Sequence, residues 1–303
     1  MKKILLTLLL TLSVSVFANT DLIEFIVPTP PGGAPDIMAR AISHSISTKI
    51  DIPIVVLNRS GAGGMLATRE FLTNNNKTNR ILLASTSITL HQNMKKPDSI
   101  NLIEELDLVG PIASTPLGLI VRSTSNYKTF SEFIAYVKKN EVNCGTIRPI
   151  VENSVVYLAD KYSLKIRMIP YPSTSSVKVG ILSNQVDCTV DIYGAYKDFH
   201  KTGEVTYLGF FLRNKFAPDI PVIPGNNPRL ESATSVAIHN QMKPELRAKI
   251  VKALSELRND QEFVELMNSL GFQVDSIDPD WKNILRKERK LLDPIIEKAA
   301  ALE

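Results

Sequence analysis

Val27-Pro28-Thr29-Pro30-Pro31-Gly32-Gly33-Ala34-Pro35-Asp36 is the stretch that decides how this chain folds. The apolar run Leu22 to Val27 reads as a buried strand, ended by prolines and a glycine pair before an amphipathic segment begins. That arrangement leaves bare backbone amides facing outward at a helix N-terminus, a place suited to an anion. Asp36 falls in the first turn, where it either joins that site or caps the helix and pairs with Arg40. A second loop of the same kind follows, Ile54-Val55-Val56-Leu57 running into Asn58-Arg59-Ser60-Gly61-Ala62-Gly63-Gly64 and another helical pattern. Two such loops at successive strand ends point to a site for a small negatively charged molecule.

Outward from these loops the pattern is strand, loop, helix, repeated. Leu22 to Val27, Ile52 to Leu57 and Arg80 to Ala84 read as buried strands of parallel βαβ units, forming one α/β lobe. Between Leu106 and Val121 short apolar runs broken by Gly110-Pro111, Pro116 and Gly118 read as a crossover into a second lobe. There, Thr129-Phe130-Ser131-Glu132 has capping-box spacing before a helix to Lys139. A strand ending at Cys144, a helix around Ser154 to Tyr162, strand Lys165 to Ile169, helix Ser175 to Leu182 and strand Val186 to Val190 repeat the alternation. Val205 to Leu212 begins the return, and the four prolines between Pro218 and Pro228 mark an extended connection. The rest reads as helical: one helix opened by Lys243-Pro244, one carrying Leu266 and Leu270 and stopped by Gly271, and a long one from Asp280 to Leu302 packing back on the first lobe.

The N-terminus predicts export. Lys2 and Lys3 precede the apolar run Ile4 to Leu12, and Val16-Phe17-Ala18 offers small residues at the cleavage-determining positions, so residues 1–18 read as a secretory signal peptide. A membrane anchor needs about 20 apolar residues, and polar Asn19-Thr20-Asp21 arrives too early for that. The chain of 303 residues carries a formal charge of +4, two of those charges belonging to the leader, and it lacks a basic run with interleaved aromatics. Nucleic acid is therefore not an expected partner. Cys144 and Cys188 would enter an oxidising compartment, where they either pair or remain buried thiols. The thiol reading is preferred here, because a bridge between adjacent parallel strands strains disulfide geometry.

Searches for catalysis and cofactors come back empty. Gly61-Ala62-Gly63-Gly64-Met65-Leu66 lacks the third glycine of a dinucleotide fingerprint, no Gly-Lys-Ser/Thr occurs, and there is neither a Gly-x-Ser-x-Gly elbow nor a His-Glu-x-x-His. His44, His91, His200 and His239 are scattered over different elements, and no His or second Cys is spaced for a metal beside either cysteine. An exported enzyme using Asp36 or Asp191 as a base is the rival class, and it lacks a nucleophile, base and orienter.

Pro30-Pro31-Gly32-Gly33-Ala34-Pro35-Asp36-Ile37-Met38-Ala39-Arg40, taken with Val55 to Gly64, resembles the periplasmic Bug receptors, the substrate-binding proteins of tripartite tricarboxylate transporters. Thr89, Asn93, Ile169-Pro170-Tyr171, Gln185-Val186-Asp187, Asp191, Asp219-Ile220-Pro221 and Lys243-Pro244 agree in order and spacing. The resemblance implies an α/β Venus-flytrap fold of two lobes, each a mainly parallel sheet flanked by helices. The expected division is 19–115 with 229–303 for the first lobe and 116–228 for the second. It also implies a monomeric receptor, without cofactor, that closes on a small carboxylate and hands it to membrane permease subunits. A sensor reporting to a membrane partner is the alternative.

Expected ligand contacts in the first lobe are Pro31, Gly32, Gly33, Ala34, Pro35 and Asp36, with Asn58, Gly61 and Gly63 shaping the floor and Ser87 and Thr89 beside them. In the second lobe they are Thr146, Arg148, Tyr171 and Asp191. Arg148 would favour a dicarboxylate; Asp191 or Glu152 would favour an amino acid. Two departures from the family pattern concern this lobe: Gly145 to Ser154 replaces a Gly/Ser-rich loop leading to His-Leu, and Tyr171-Pro172-Ser173 replaces Tyr-Lys-Gly.

Overall fold

The computed structural model describes residues 22–74, 78–91, 100–147 and 149–302. The leader, Asn93 and Arg148 lie outside them. The first lobe starts as the apolar runs dictate. Strand β1 (Ile23–Val27) pairs in parallel with β2 (Ile54–Asn58) on one side and β3 (Arg80–Ser85) on the other. Helix α1 (Ala34–Ile50) follows β1. Gly33 is its extended N-cap, Pro35 sits in its first turn, and Asp51 stops it in the left-handed conformation. Its Met38, Ile42 and Ile46 are buried against β1 and β3, each contributing roughly 2 kcal/mol. Helices α2 (Met65–Thr73), α3 (Thr86–Thr89) and α4 (Leu102–Glu105) cover the opposite face through Ala67, Phe71, Ile88 and Leu102.

Strand β4 (Asp107–Arg122) is the crossover, one continuous element of 16 residues with an irregularity between Val109 and Ala113. The second lobe adds α5 (Phe130–Val137), β5 (Val142–Thr146), α6 (Ile150–Tyr162), β6 (Ile166–Pro170), α7 (Thr174–Leu182), β7 (Cys188–Ile192), α8 (Tyr193–Lys201) and β8 (Val205–Phe210). The expected capping box opens α5, with Glu132 N–H donating to Thr129 Oγ1. Helix α6 starts four residues earlier than the apolar pattern alone indicates, β7 is displaced two residues along the chain, and α8 is an element the sequence reading did not contain.

The return to the first lobe is β9 (Glu231–Ile238), also absent from that reading, followed by α9 (Pro244–Ser255), α10 (Gln261–Ser269), the short β10 (Gln273–Val274) and α11 (Trp281–Ala300). Strand order is β2-β1-β3-β9-β4-β7-β5-β6, with β8 and β10 also pairing to β4. The first half of β4 is antiparallel to β9, and its second half is antiparallel to β7 and β8, so one strand serves both lobes.

Helix α11 also serves both. Trp281 Nε1 donates to Ser235 Oγ of β9 at 2.7 Å, and Arg286 forks onto Glu104 of α4. Farther along, Leu292, Ile296 and Ala299 share an apolar cluster with Val155 and Val156 of α6, and Lys298 pairs with Asp160. The expected return to the first lobe thus describes only the start of this helix.

Cys144 and Cys188 form a disulfide, against the preferred reading of two free thiols. They are register partners on parallel β5 and β7, and their Cα atoms are 4.5 Å apart, within the range a bridge spans.

Candidate functional site

The strands β1, β2 and β3 deliver their C-terminal loops to one end of the sheet, and a cavity of about 410 Å³ opens there. Of the expected contacts, Pro35, Gly61, Gly63 and Ser87 line it. The first turn of α1 stands at its edge. Ile37 N–H already bonds Gly33 O and Pro35 has no N–H, which leaves Ala34 and Asp36 as first-turn donors that the helix itself cannot satisfy. Thr29 Oγ1, also at the cavity, is buried without a partner.

Asp36 has a different task from the glycines around it. It is 3% exposed, and both oxygens are occupied. Oδ2 accepts from Gly32 N–H at 2.9 Å and Arg40 Nε at 3.1 Å; Oδ1 accepts from Asn58 Nδ2 at 2.9 Å and faces Arg40 Nη2 at 3.0 Å. Asn58 Nδ2 also donates to Thr29 O at 3.0 Å. Asp36 therefore ties the first loop to the second rather than presenting a free carboxylate. The Arg40 hydrogen bond leads the effects that hold its pKa down at about 2, Gly32 and Asn58 adding to it against the opposing pull of burial.

The glycines divide by cause. Gly64 sits at φ +93, and a Cβ there would lie 2.5 Å from Ile88 Cδ1, so the fold requires it. Gly33 has ordinary extended angles, φ −81 and ψ 167, and a Cβ there would meet only Pro35 Cδ at 3.6 Å. The fold does not require glycine at that position.

Thr89, expected beside the carboxylate, donates its hydroxyl to Ser85 O at 3.1 Å instead. Besides Thr29 and Ser60 of the first two loops, the hydroxyl residues that line the cavity are Ser85 and Ser87 from the end of β3 and α3, and Ser232 and Thr234 from β9. Thr86 brings the two groups together, donating to Glu231 O at 2.8 Å and accepting from Ala233 N–H at 3.1 Å. Met38, Leu83, Ile88 and Phe272 supply apolar wall, and Pro149 closes it from the second lobe. The sequence reading missed Ser85, Ser232, Thr234, Pro149 and the apolar wall. Ser85 alone was signalled, following directly on the strand read as Arg80 to Ala84.

The other second-lobe expectations are dispersed. Thr146 is buried at the end of β5. Tyr171 turns toward α7, its ring so close to Gly180 that a Cβ there would meet its hydroxyl, which donates to Gln185 Oε1 at 3.4 Å. Arg148 lies outside the described residues. Asp191, at the end of β7, is buried; Oδ1 accepts from Ile192 N–H at 2.8 Å and Oδ2 has no partner. Burial pushes its pKa up to about 6, against the weaker influence of Ile192 N–H, Thr174 and Lys178, while Tyr196 and Tyr207 feel its charge.

Because the folded pKa of Asp191 lies above the ordinary aspartate value of 3.8, its contribution to stability is full below that value and is lost as pH rises through 6. Asp191→Asn keeps an acceptor for Ile192 N–H and removes the buried charge. Its stability is expected to exceed wild type by roughly 3 kcal/mol at pH 8 and to match it at pH 3.5. Urea denaturation at the two pH values measures this, and an equal difference at both would refute it.

Two contacts join the lobes near the site. Asn153 of α6 reaches His91, just beyond α3, with Nδ2 lying 3.2 Å from His91 Nδ1 and 3.3 Å from His91 O. His91 is buried, and desolvation with the nearby Arg289 charge lowers its pKa to about 3. On the other side Gly194 of α8 packs so tightly on Leu270 that a Cβ would fall 2.0 Å from Leu270 O, and Lys197 Nζ donates to Ser269 O at 2.7 Å. These contacts tie the second lobe to the first beside the ends of α3 and α10.

The site's chemistry is that of holding, with amides and hydroxyls as its donors. Among the described residues no cluster of three His, Cys, Asp or Glu could hold a metal ion, and no helix is long and apolar enough to cross a membrane.

Comparison with known proteins agrees with this geometry. The chain is 26% identical over 208 residues to Protein BugT of Bordetella pertussis, covering 67% of this chain and 64% of BugT, a little under two thirds of that relative. It is 26% identical over 265 residues to an Agrobacterium vitis protein from the TAR-I ttuE-ttuC' intergenic region, covering 82% of this chain and 75% of the relative. Among solved structures, the periplasmic binding protein BugD superposes with a TM-score of 0.75 at 21% identity, covering 92% of this chain and 97% of BugD. MatC of Rhodopseudomonas palustris with bound malate gives 0.75 at 19%, covering 91% and 98%. A further R. palustris protein with adipate gives 0.77 at 17%, covering 92% and 97%. These likenesses establish the two-lobed periplasmic-binding-protein fold. The model of the TctC family, described as tripartite tricarboxylate transporter family receptor, matches residues 38–300. By that match the chain belongs to the tripartite tricarboxylate transporter receptors, a family of solute-binding proteins and not of enzymes.

Proposed function

We propose that this protein is an exported receptor that captures a small carboxylate between its lobes and delivers it to the membrane subunits of a tripartite transporter. The observation that carries the reading is the cavity lined by Pro35 of the first turn of α1, by the glycines after β2 and by the hydroxyl residues Thr29, Ser60, Ser85, Ser87, Ser232 and Thr234. Amide donors at a helix start stabilise a carboxylate without a full cation in the cleft, so release remains feasible. Malate and adipate in two structural relatives support the ligand class. Residues 1–18, read as a signal peptide, and the paired cysteines suit the periplasm. Gly33, Ala34 and Asp36 would donate through their backbone, with Thr29 and Ser87 beside them.

Thermal unfolding with and without a panel of mono-, di- and tricarboxylates and amino acids tests this reading, alongside native mass spectrometry of the small molecule retained on purification. At least one carboxylate is expected to raise the melting temperature, and a retained carboxylate is expected in the spectrum. If no acid shifts the transition, the reading fails.

A further inference from the structure

We infer that Phe272 is the residue through which the setting of the two lobes reaches the cavity, and that a backbone joint between Gly194 and Gly271 controls it; this rests on the receptor reading above and deepens it. Helix α8 begins directly after β7, and Gly194 lies in its first turn. Glycine gives up more backbone freedom than any other residue on entering a helix, and no left-handed angle calls for it at this position. What calls for it is the other lobe. A Cβ on Gly194 would fall 2.0 Å from Leu270 O, and one on Gly271 would fall 2.8 Å from both N and Cα of Gly194. Main chain thus meets main chain, with no side chain between the lobes to absorb a movement.

The first-lobe side of the joint is a tight turn that ends in the cavity. Gly271, at φ +80, closes α10 in a Schellman motif: its N–H donates to Asn268 O at 3.0 Å, and Phe272 N–H donates to Met267 O at 2.9 Å. Phe272, next in the chain, is buried and lines the cavity beside Ser232 and Thr234. Gln273 then enters β10 opposite Ser114 of β4, while Ile192, two residues before Gly194, lies opposite Leu117 of the same strand. The joint therefore sits where β4 passes from one lobe to the other. Lys197, three residues on from Gly194, donates to Ser269 O among the last carbonyls of α10, the end of a helix that favours a cation, and so holds the two surfaces together. A rotation of the second lobe about β4 presses α8 against this turn, and the turn carries Phe272 with it.

Gly194→Ala and Gly194→Val, wedges of increasing size, test the inference with two readouts that need no ligand. Spin labels on Thr48→Cys in α1 and Ala135→Cys in α5, both exposed, give the interlobe distance by double electron–electron resonance; the native cysteines are bridged to each other and take no label. In protein carrying fluorinated phenylalanine, the resonance lost in Phe272→Leu reports that ring. Both distance and resonance are expected to move away from wild type in the order alanine, valine. Calorimetry with the carboxylate panel above is expected to show at least about tenfold weaker binding in Gly194→Ala, although residue 194 does not line the cavity. In folded protein, an unchanged distance, an unmoved Phe272 resonance or an unchanged affinity each overturns the inference and leaves the receptor reading standing. If no acid of the panel binds wild type while distance and resonance move together, the joint stands and the carboxylate reading is what fails. Circular dichroism verifies folding; should neither wedge fold, Lys197→Ala, which loosens the joint without adding atoms, is expected to broaden both the distance distribution and the resonance, and a match to wild type in both overturns the inference.

Discussion

Gly33→Trp is expected to abolish the ligand-induced rise in melting temperature while leaving the ligand-free protein within about 2 °C of wild type. The asymmetry follows from the local geometry. Gly33 has backbone angles open to any residue, and its added Cβ meets only the edge of Pro35. The backbone and the Cβ position therefore accept a larger residue, and on the proposed function the indole is expected to obstruct a carboxylate approaching the α1 amides. Gly64→Ala is the control with the opposite signature: the φ of +93 and the 2.5 Å approach to Ile88 make it destabilising even without ligand. Scanning fluorimetry of both variants, with and without a saturating ligand from the carboxylate panel, reads the two effects separately. An unchanged ligand shift in Gly33→Trp would show that the carboxylate does not dock at this helix start.

Asp36→Ala is expected to cost about 3 kcal/mol of stability and to weaken ligand binding at least about tenfold. The alanine leaves Gly32 N–H, Asn58 Nδ2 and the Arg40 fork without their common acceptor. The first and second loops then lose the tie that sets their spacing, so the amides near Gly33 lose their aim as well. Acid should reproduce part of this in wild type. The folded pKa of about 2 lies below the ordinary aspartate value of 3.8, so the contribution is complete above that value and disappears as pH falls through 2. Urea denaturation of wild type and Asp36→Ala at pH 7 and pH 2 should give a large gap at the first and a small one at the second. Equal stability at pH 7 would mean that the tie carries no weight.

The first lobe was legible where its loops broke the apolar pattern. Prolines and glycines punctuate the ends of β1 and β2, and the capping box at Thr129 announces α5 directly. β9 was not legible, although it lies at the sheet's centre. Its sequence, Glu231-Ser232-Ala233-Thr234-Ser235-Val236-Ala237-Ile238, carries three small polar residues, because Ser232 and Thr234 line the cavity and Ser235 receives the Trp281 indole. Serine and threonine carry no periodic signal, so the hydroxyl lining went unread with the strand. Asp36 was recognised as important, but a single sequence cannot distinguish a carboxylate that contacts ligand from one whose oxygens are consumed by Gly32, Arg40 and Asn58. The disulfide was underestimated because the register of β5 on β7, which brings Cys144 opposite Cys188, is a product of the whole sheet.

The sharing of β4 and α11 between lobes bears on how this receptor can acquire new ligands. A scaffold whose halves were self-sufficient could be re-matched by recombination, one half exchanged for that of a relative. Here either half taken alone would lose the far part of β4, and the second would also expose the α6 surface that Leu292, Ile296 and Ala299 cover. Domain shuffling is therefore a poor route to a new specificity. Substitution at a few loop and wall positions changes the cavity and leaves the shared strand and helix intact.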